Sequence, residues 1–187
     1  MSTREWEGLK IPTAGRFDLD AAHTRVGFWV KHMMVSKVRG HFGEFDGSVT
    51  IAENPLESSA EITIKAASID TGVADRDAHL RSPDFLDVEK FENITFRSTR
   101  VTGHEGDEFK VLGDLTIRDV TKPVELTVEF GGAGTNPWGK ELFGFSISAE
   151  IDREEFGLTW NQTLETGGVL VGKKVKIEIE GEAVRVS

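Results

Sequence analysis

Val124 to Phe130 reads VELTVEF, and in it Val124, Leu126, Val128 and Phe130 alternate with Glu125, Thr127 and Glu129. A period of two puts one set on each side of an extended chain, so the stretch is a strand with one apolar and one polar face. The same alternation returns downstream. Phe143, Phe145, Ile147, Ala149 and Ile151 alternate with Gly144, Ser146, Ser148 and Glu150, and Val175, Ile177 and Ile179 alternate with charged residues from Lys174 to Glu180. Upstream, Ile94 to Val101 and Phe109 to Ile117 flank a polar loop at Gly103 to Asp107, and Phe45 to Ala52 and Ser59 to Ala66 flank Glu53-Asn54-Pro55-Leu56. Arg25 to His32 places Val26, Phe28, Val30 and His32 on one side, Arg16 to Leu19 is a further short candidate, and Met33 to Phe45, with Gly40 and Gly43, reads as a bent connection. Eight or nine strands on short turns, with no crossover helices between them, give an all-β antiparallel fold. Its apolar faces must bury against a second sheet or inside a closed barrel, and a barrel of about eight strands is either packed solid or holds one slender ligand.

One stretch breaks the pattern. Ser68 to Phe96 reads SIDTGVADRDAHLRSPDFLDVEKFENITF, and within it Val73 to Arg81 has helical spacing, with Asp70 or Thr71 as cap. Ser82 with Pro83 and Asp84 behind it reads as the start of a second short helix, so a helical insertion is expected near residues 72–90. Arg76 shares a face with His79 and Leu80, and Asp77 lies four residues before Arg81, in the orientation that favours an ion pair.

An ordered set of motifs carries a family resemblance. Ser68 to Gly72, Arg76-Asp77, His79 to Ser82, Asp84-Phe85 and Phe91 to Ser98 form its centre. Asp20 to Thr24 with Val26, Phe28 and His32, then Gly40 to Gly43 with Phe45 to Gly47, precede it. Gly113 to Arg118, Val120 to Lys122, Arg153, Phe156 to Leu158, and Val171-Gly172 with Val175 follow. From Phe17 to Glu182 the chain resembles the YceI-like family of lipocalin-like, polyisoprenoid-binding proteins. The resemblance implies an antiparallel lipocalin-like β-barrel whose apolar lumen takes a long-chain isoprenoid, a quinone or another lipid, with the helical insertion near one end. It also allows a homodimer, as family members often form.

With that fold, strand parity points Phe28, Val30, Ile64, Phe96, Leu126, Val128, Phe145 and Ile147 inward, with Phe42, Leu80, Phe85 and Trp160 as end closures. Arg76 and His79, with Arg81, are the candidates to meet a head group, by hydrogen bonding rather than charge pairing because Asp75, Asp77, Asp84, Asp87 and Glu89 surround them. The function expected is that of a lipid carrier or sequestration protein. A stress or interaction protein with a solid core would show the same alternation.

The remaining features bound the reading. All 187 residues read as one domain, with residues 1–14 a loosely ordered tail. The 32 acidic and 22 basic residues give a net charge of −10 with no basic stripe, which argues against nucleic acid. No run approaches the ~18 apolar residues of a membrane span, and the first fifteen residues lack a signal-type apolar core, so a cytoplasmic location without stable membrane insertion is expected. There is no cysteine. His23, His32, His41, His79 and His104 could support acid–base chemistry, but no GxSxG, HExxH, P-loop or zinc spacing accompanies them. Residues nine apart on a regular strand face opposite ways, which argues against metal sharing by His23 and His32 or by His32 and His41. Neither enzyme, cofactor nor metal is expected.

Overall fold

The computed structural model describes residues 3–165 and 168–186. The strands begin with β1 (Thr3–Trp6), β2 (Leu9–Pro12), β3 (Gly15–Leu19), β4 (Arg25–His32), β5 (Ser36–Phe42), β6 (Phe45–Ile51), β7 (Ser59–Lys65) and β8 (Ile69–Asp70). The helix α1 (Ala74–Arg81) precedes β9 (Asn93–Glu105), β10 (Glu108–Ile117), β11 (Val120–Thr135), β12 (Glu141–Asp152) and β13 (Val171–Arg185). Every pairing is antiparallel. In the order β12-β11-β10-β9-β7-β6-β3-β13 the sheet returns to β12, which closes an eight-stranded lipocalin-like barrel. Closure removes the edges that an open sheet of this length would expose.

One seam departs from a simple ring. A single edge of β13 pairs first with β3, through Ala183–Leu19 and Arg185–Phe17, and then with β4, from Glu180–Arg25 to Val171–His32. The break between β3 and β4 is a 3-10 turn, Ala21–His23, capped by the Asp20 carboxylate on the Ala22 N–H. There Asp20 also binds His23 Nδ1 at 2.8 Å, and Glu182 lies 4.0 Å from the same nitrogen. Met33 to Phe45 is therefore not merely a bend. It contains the β4–β5 turn and all of β5, and only Gly43 and Glu44 interrupt the run into β6.

The ends of the barrel are closed differently. The loops β10–β11 and β4–β5, helix α1, and the segment after β12 sit at one end; the turns β9–β10 and β11–β12 sit at the other. The expected loose tail is instead a β1–β2 hairpin covering that second end, turned at Glu7 and Gly8 in left-handed conformations. Its apolar side has somewhere to go: Trp6 stacks on Phe109 and contacts His104, and Ile11 is 4% exposed. Beneath it Phe17 is fully buried, edge-on to Phe143, and the Arg185 guanidinium packs over the Phe17 ring while donating to Thr13 and Ala14 carbonyls.

The insertion contains one helix rather than two. Among the described residues, α1 is followed by a succession of turns in which the Ser82 carbonyl accepts from both the Phe85 and the Asp87 N–H. The Ser82 hydroxyl does accept from the Asp84 N–H, as a cap would, but no helix propagates behind it. The cap of α1 also differs from expectation, since Val73 occupies it with no side-chain bond. Asp77 and Arg81 do not pair. Asp77 is buried and accepts from the Thr71 N–H and hydroxyl at 2.9 and 2.5 Å, while Arg81 donates to the carbonyls of Ala67 and Ile69. Backbone groups of the entry loop outcompete the i,i+4 partner because, unpaired, they would be left without water.

Candidate functional site

The apolar faces of the barrel strands do not meet in the middle. They line a cavity of about 380 Å³, within the range of small-ligand sites. The wall is built by strand parity. Phe28 and Val30 on β4, Ile64 on β7, Phe96 on β9, Leu126 and Val128 on β11, and Phe145 and Ile147 on β12 all face it. Two of the rings lie over cross-strand glycines. A Cβ on Gly40 would sit 2.5 Å from the Phe28 ring, and one on Gly113 would sit 2.3 Å from the Phe96 ring, so glycine at these positions lets large side chains lie flat against the wall.

Phe42, Leu80 and Phe85 reach the cavity from β5, α1 and the turns behind α1. Trp160 does not line it. Its ring lies outside Phe85, with centroids 5.5 Å apart, and meets the His79 ring edge-on at 4.6 Å. His79 Nε2 in turn bonds Asp84 at 2.9 Å. Arg76 is also away from the lining, donating from Nε and Nη2 to the hydroxyl and carbonyl of Thr71. Arg76 and His79 thus hold the insertion in shape and do not reach into the lumen.

Arg153, which is 3% exposed, is the cation that lines it, alongside Glu61 and four serines. It opens a 3-10 turn, Arg153–Phe156, after β12, capped by Asp152 on the Glu154 N–H and ended by Gly157 at φ +82°. Its guanidinium donates to four carbonyls: Nε to Gly172 at 2.8 Å, Nη1 to Leu158 at 2.6 Å and Trp160 at 3.0 Å, and Nη2 to Val171 at 3.3 Å. Among the described residues it has no ion pair. Burial pushes its pKa below the usual arginine value, against the pull of Glu154 and Asp152. Spacing alone gives no sign of this role, because a lone arginine after a strand resembles any surface cation. The hairpin residues Ile11 and Pro12, which also line the cavity, belong to the stretch that reads as a tail.

A YceI-like domain model matches residues 17–183. The chain belongs to the YceI-like family. A UPF0312 protein of Staphylococcus aureus (strain bovine RF122 / ET3-1) is 43% identical over 168 residues, covering 89% of this chain and 95% of its own. A UPF0312 protein of Staphylococcus epidermidis is likewise 43% identical over 169 residues, covering 89% and 96%. The Campylobacter jejuni YceI protein superposes with a TM-score of 0.72 at 33% identity, covering 90% of this chain and 97% of its own. Burkholderia cenocepacia BcnA shares the fold at a TM-score of 0.77 and 24% identity, covering 90% and 99%. A polyisoprenoid-binding domain from Saccharophagus degradans shares it at 0.67 and 11%, covering 93% and 100%. This YceI-like chain contains no helix, among its described residues, long and apolar enough to cross a membrane.

Proposed function

We infer that this YceI-like protein binds a long-chain isoprenoid or related amphiphilic lipid, such as a quinone with a polyprenyl tail, in the lumen of its barrel, as a carrier or sequestration protein. The observation that carries the reading is the cavity, apolar along the strands from the α1 end to the β1–β2 hairpin. An open lumen weighs against a solid core. Each buried methylene contributes about 0.8 kcal/mol, so fifteen to twenty carbons would contribute roughly 12–16 kcal/mol. Association costs of about 4–15 kcal/mol offset that, which makes chain length the main determinant of affinity. The head group is neutral, because the cation in the lining, Arg153, already spends its donors on carbonyls.

Native mass spectrometry of protein purified without detergent, followed by mass spectrometry of its organic extract, tests this. A stoichiometric long-chain adduct, or uptake of prenols that tightens with chain length, supports it. Protein that arrives empty and takes up neither prenols nor quinones overturns it. Phe28→Arg and Phe145→Arg should each abolish retention with the fold intact by circular dichroism; retention of the same lipid by both would exclude these positions from the site.

A further inference from the structure

Of the seven large hydrophobic side chains exposed among the described residues, three are consecutive: Met33 (45%), Met34 (58%) and Val35 (82%), at the tip of the β4–β5 hairpin. The backbone there is unfavourable as well. Met33 and Met34 have φ of +52° and +65°, and the Val35 N–H closes the turn on the His32 carbonyl at 3.1 Å. Two left-handed central residues define the turn that Asn-Gly fits without strain, and methionine does not. Just below the tip Lys31 and Lys37 face each other directly across the strands, both exposed and neither ion-paired among the described residues. Like charges in that register repel. Strain, apolar exposure and charge repulsion thus coincide at one tip, which the Met33 N–H ties to the Leu170 carbonyl ahead of β13 at 2.9 Å.

Charge completes the pattern. From Ala21 to Gly43 the sequence has no Asp or Glu and carries Arg25, Lys31, Lys37 and Arg39, whereas the whole chain has a net charge of −10, leaving −14 for the rest. Trp29, on the same outer face, lies under the Lys37 ammonium at 4.0 Å and donates to Glu178 at 3.1 Å. A tryptophan behind an apolar tip flanked by lysines is suited to the headgroup layer of a membrane. With a screening length of about 8 Å, an anionic surface at the tip meets Lys31 and Lys37 first, while the acidic remainder is repelled and so orients the molecule.

We propose that the β4–β5 tip docks transiently on an anionic lipid bilayer, with Met33, Met34 and Val35 entering the interface and Lys31 and Lys37 meeting acidic headgroups. The proposal brings a lipid-carrying barrel to a lipid surface, with Val30, two residues from His32, lining the cavity. In that respect it rests on the lipid-binding reading, but docking is measured without cargo. The test is co-sedimentation with phosphatidylcholine vesicles that do or do not contain phosphatidylglycerol, in low and in high salt.

The protein should bind the anionic vesicles only, and less as salt rises. Lys31→Glu with Lys37→Glu, and separately Val35→Asp, should each weaken binding roughly tenfold or more. Met33→Asn with Met34→Gly should weaken it while raising the thermal midpoint, an outcome that a merely structural tip would not give. Equal binding to both vesicle types, no binding, or variants that bind like the parent would overturn the proposal. So would a dimer in light scattering that these variants dissociate, since a second copy would then be the occupant. Uptake of prenol from vesicle-free solution separates the two readings. Variants that load normally but no longer bind vesicles support docking, and a parent that binds vesicles but never loads supports docking while removing the lipid-binding reading.

Discussion

The two ends of the barrel are shut by opposite means. At the α1 end a buried guanidinium joins residues from 153 to 172, and Asp77 fixes the entry loop of the insertion. At the other end a two-stranded hairpin lies over the opening, held by Ile11, Trp6, the Arg4 guanidinium donating to the Ala52 and Glu53 carbonyls, and His104 beside Glu7. The difference sets a closure woven into the chain between β12 and β13 against one laid over the opening by a separate hairpin. Two-stranded hairpins are marginal on their own, so the second closure depends on docking.

The sharpest way to break this contrast is Arg153→Met, which removes the donors from four carbonyls together. Unfolding in urea should show a loss of about 3–5 kcal/mol, because four carbonyl acceptors lose their donors together. Asp77→Ala should cost less, about 1–3 kcal/mol, by orphaning the Thr71 N–H. Removal of residues 1–12 should cost less than about 1–2 kcal/mol, as expected of a unit that opens locally, yet speed the release of a loaded prenol about tenfold or more in stopped-flow exchange. If the truncation and Arg153→Met destabilise equally, the two ends do not differ in kind.

The smallest expected effect lies at the seam between β3 and β4. The hydrogen bond that His23 donates to the Asp20 carboxylate, with the charges of Asp20 and Glu182, raises the His23 pKa above 6.5. A raised folded-state value means the imidazolium is favoured by folding, so this contribution is fully present below pH 6.5 and fades as pH rises through the folded pKa. The difference in urea midpoint between the parent and His23→Asn should therefore shrink from about pH 6.5 upward. A difference that does not change with pH would show that His23 acts through its turn alone.

The barrel was legible in the sequence because each strand has one apolar face, and the wall residues from Phe28 to Ile147 follow from parity alone. Parity is silent about closures. The β1–β2 hairpin has four residues per strand with Arg4, Glu5 and Lys10 inside them, so only the Gly8 turn with Trp6, Leu9 and Ile11 around it points to a strand pair. The second helix failed for another reason. Ser82, Pro83 and Asp84 form a sound helix start, but backbone bonds to the Ser82 carbonyl tie the chain into turns that point Phe85 and Leu86 at the lumen. Arg76 and His79 misled because helical spacing tells which residues share a face and not whether loop carbonyls and carboxylates will occupy them. The role of Arg153 depends on four carbonyls supplied by residues 158–172, which no local pattern displays.

The hairpin is also tethered. Only Thr13 and Ala14 separate it from β3, so after undocking it remains near its seat at a high effective concentration, and reclosing is a unimolecular event. Release of the proposed lipid then becomes a question of how often a short cap lifts and how quickly it returns. Amide exchange in residues 3–12 should run ahead of the wall strands and track the release rate, while global stability can change without altering either.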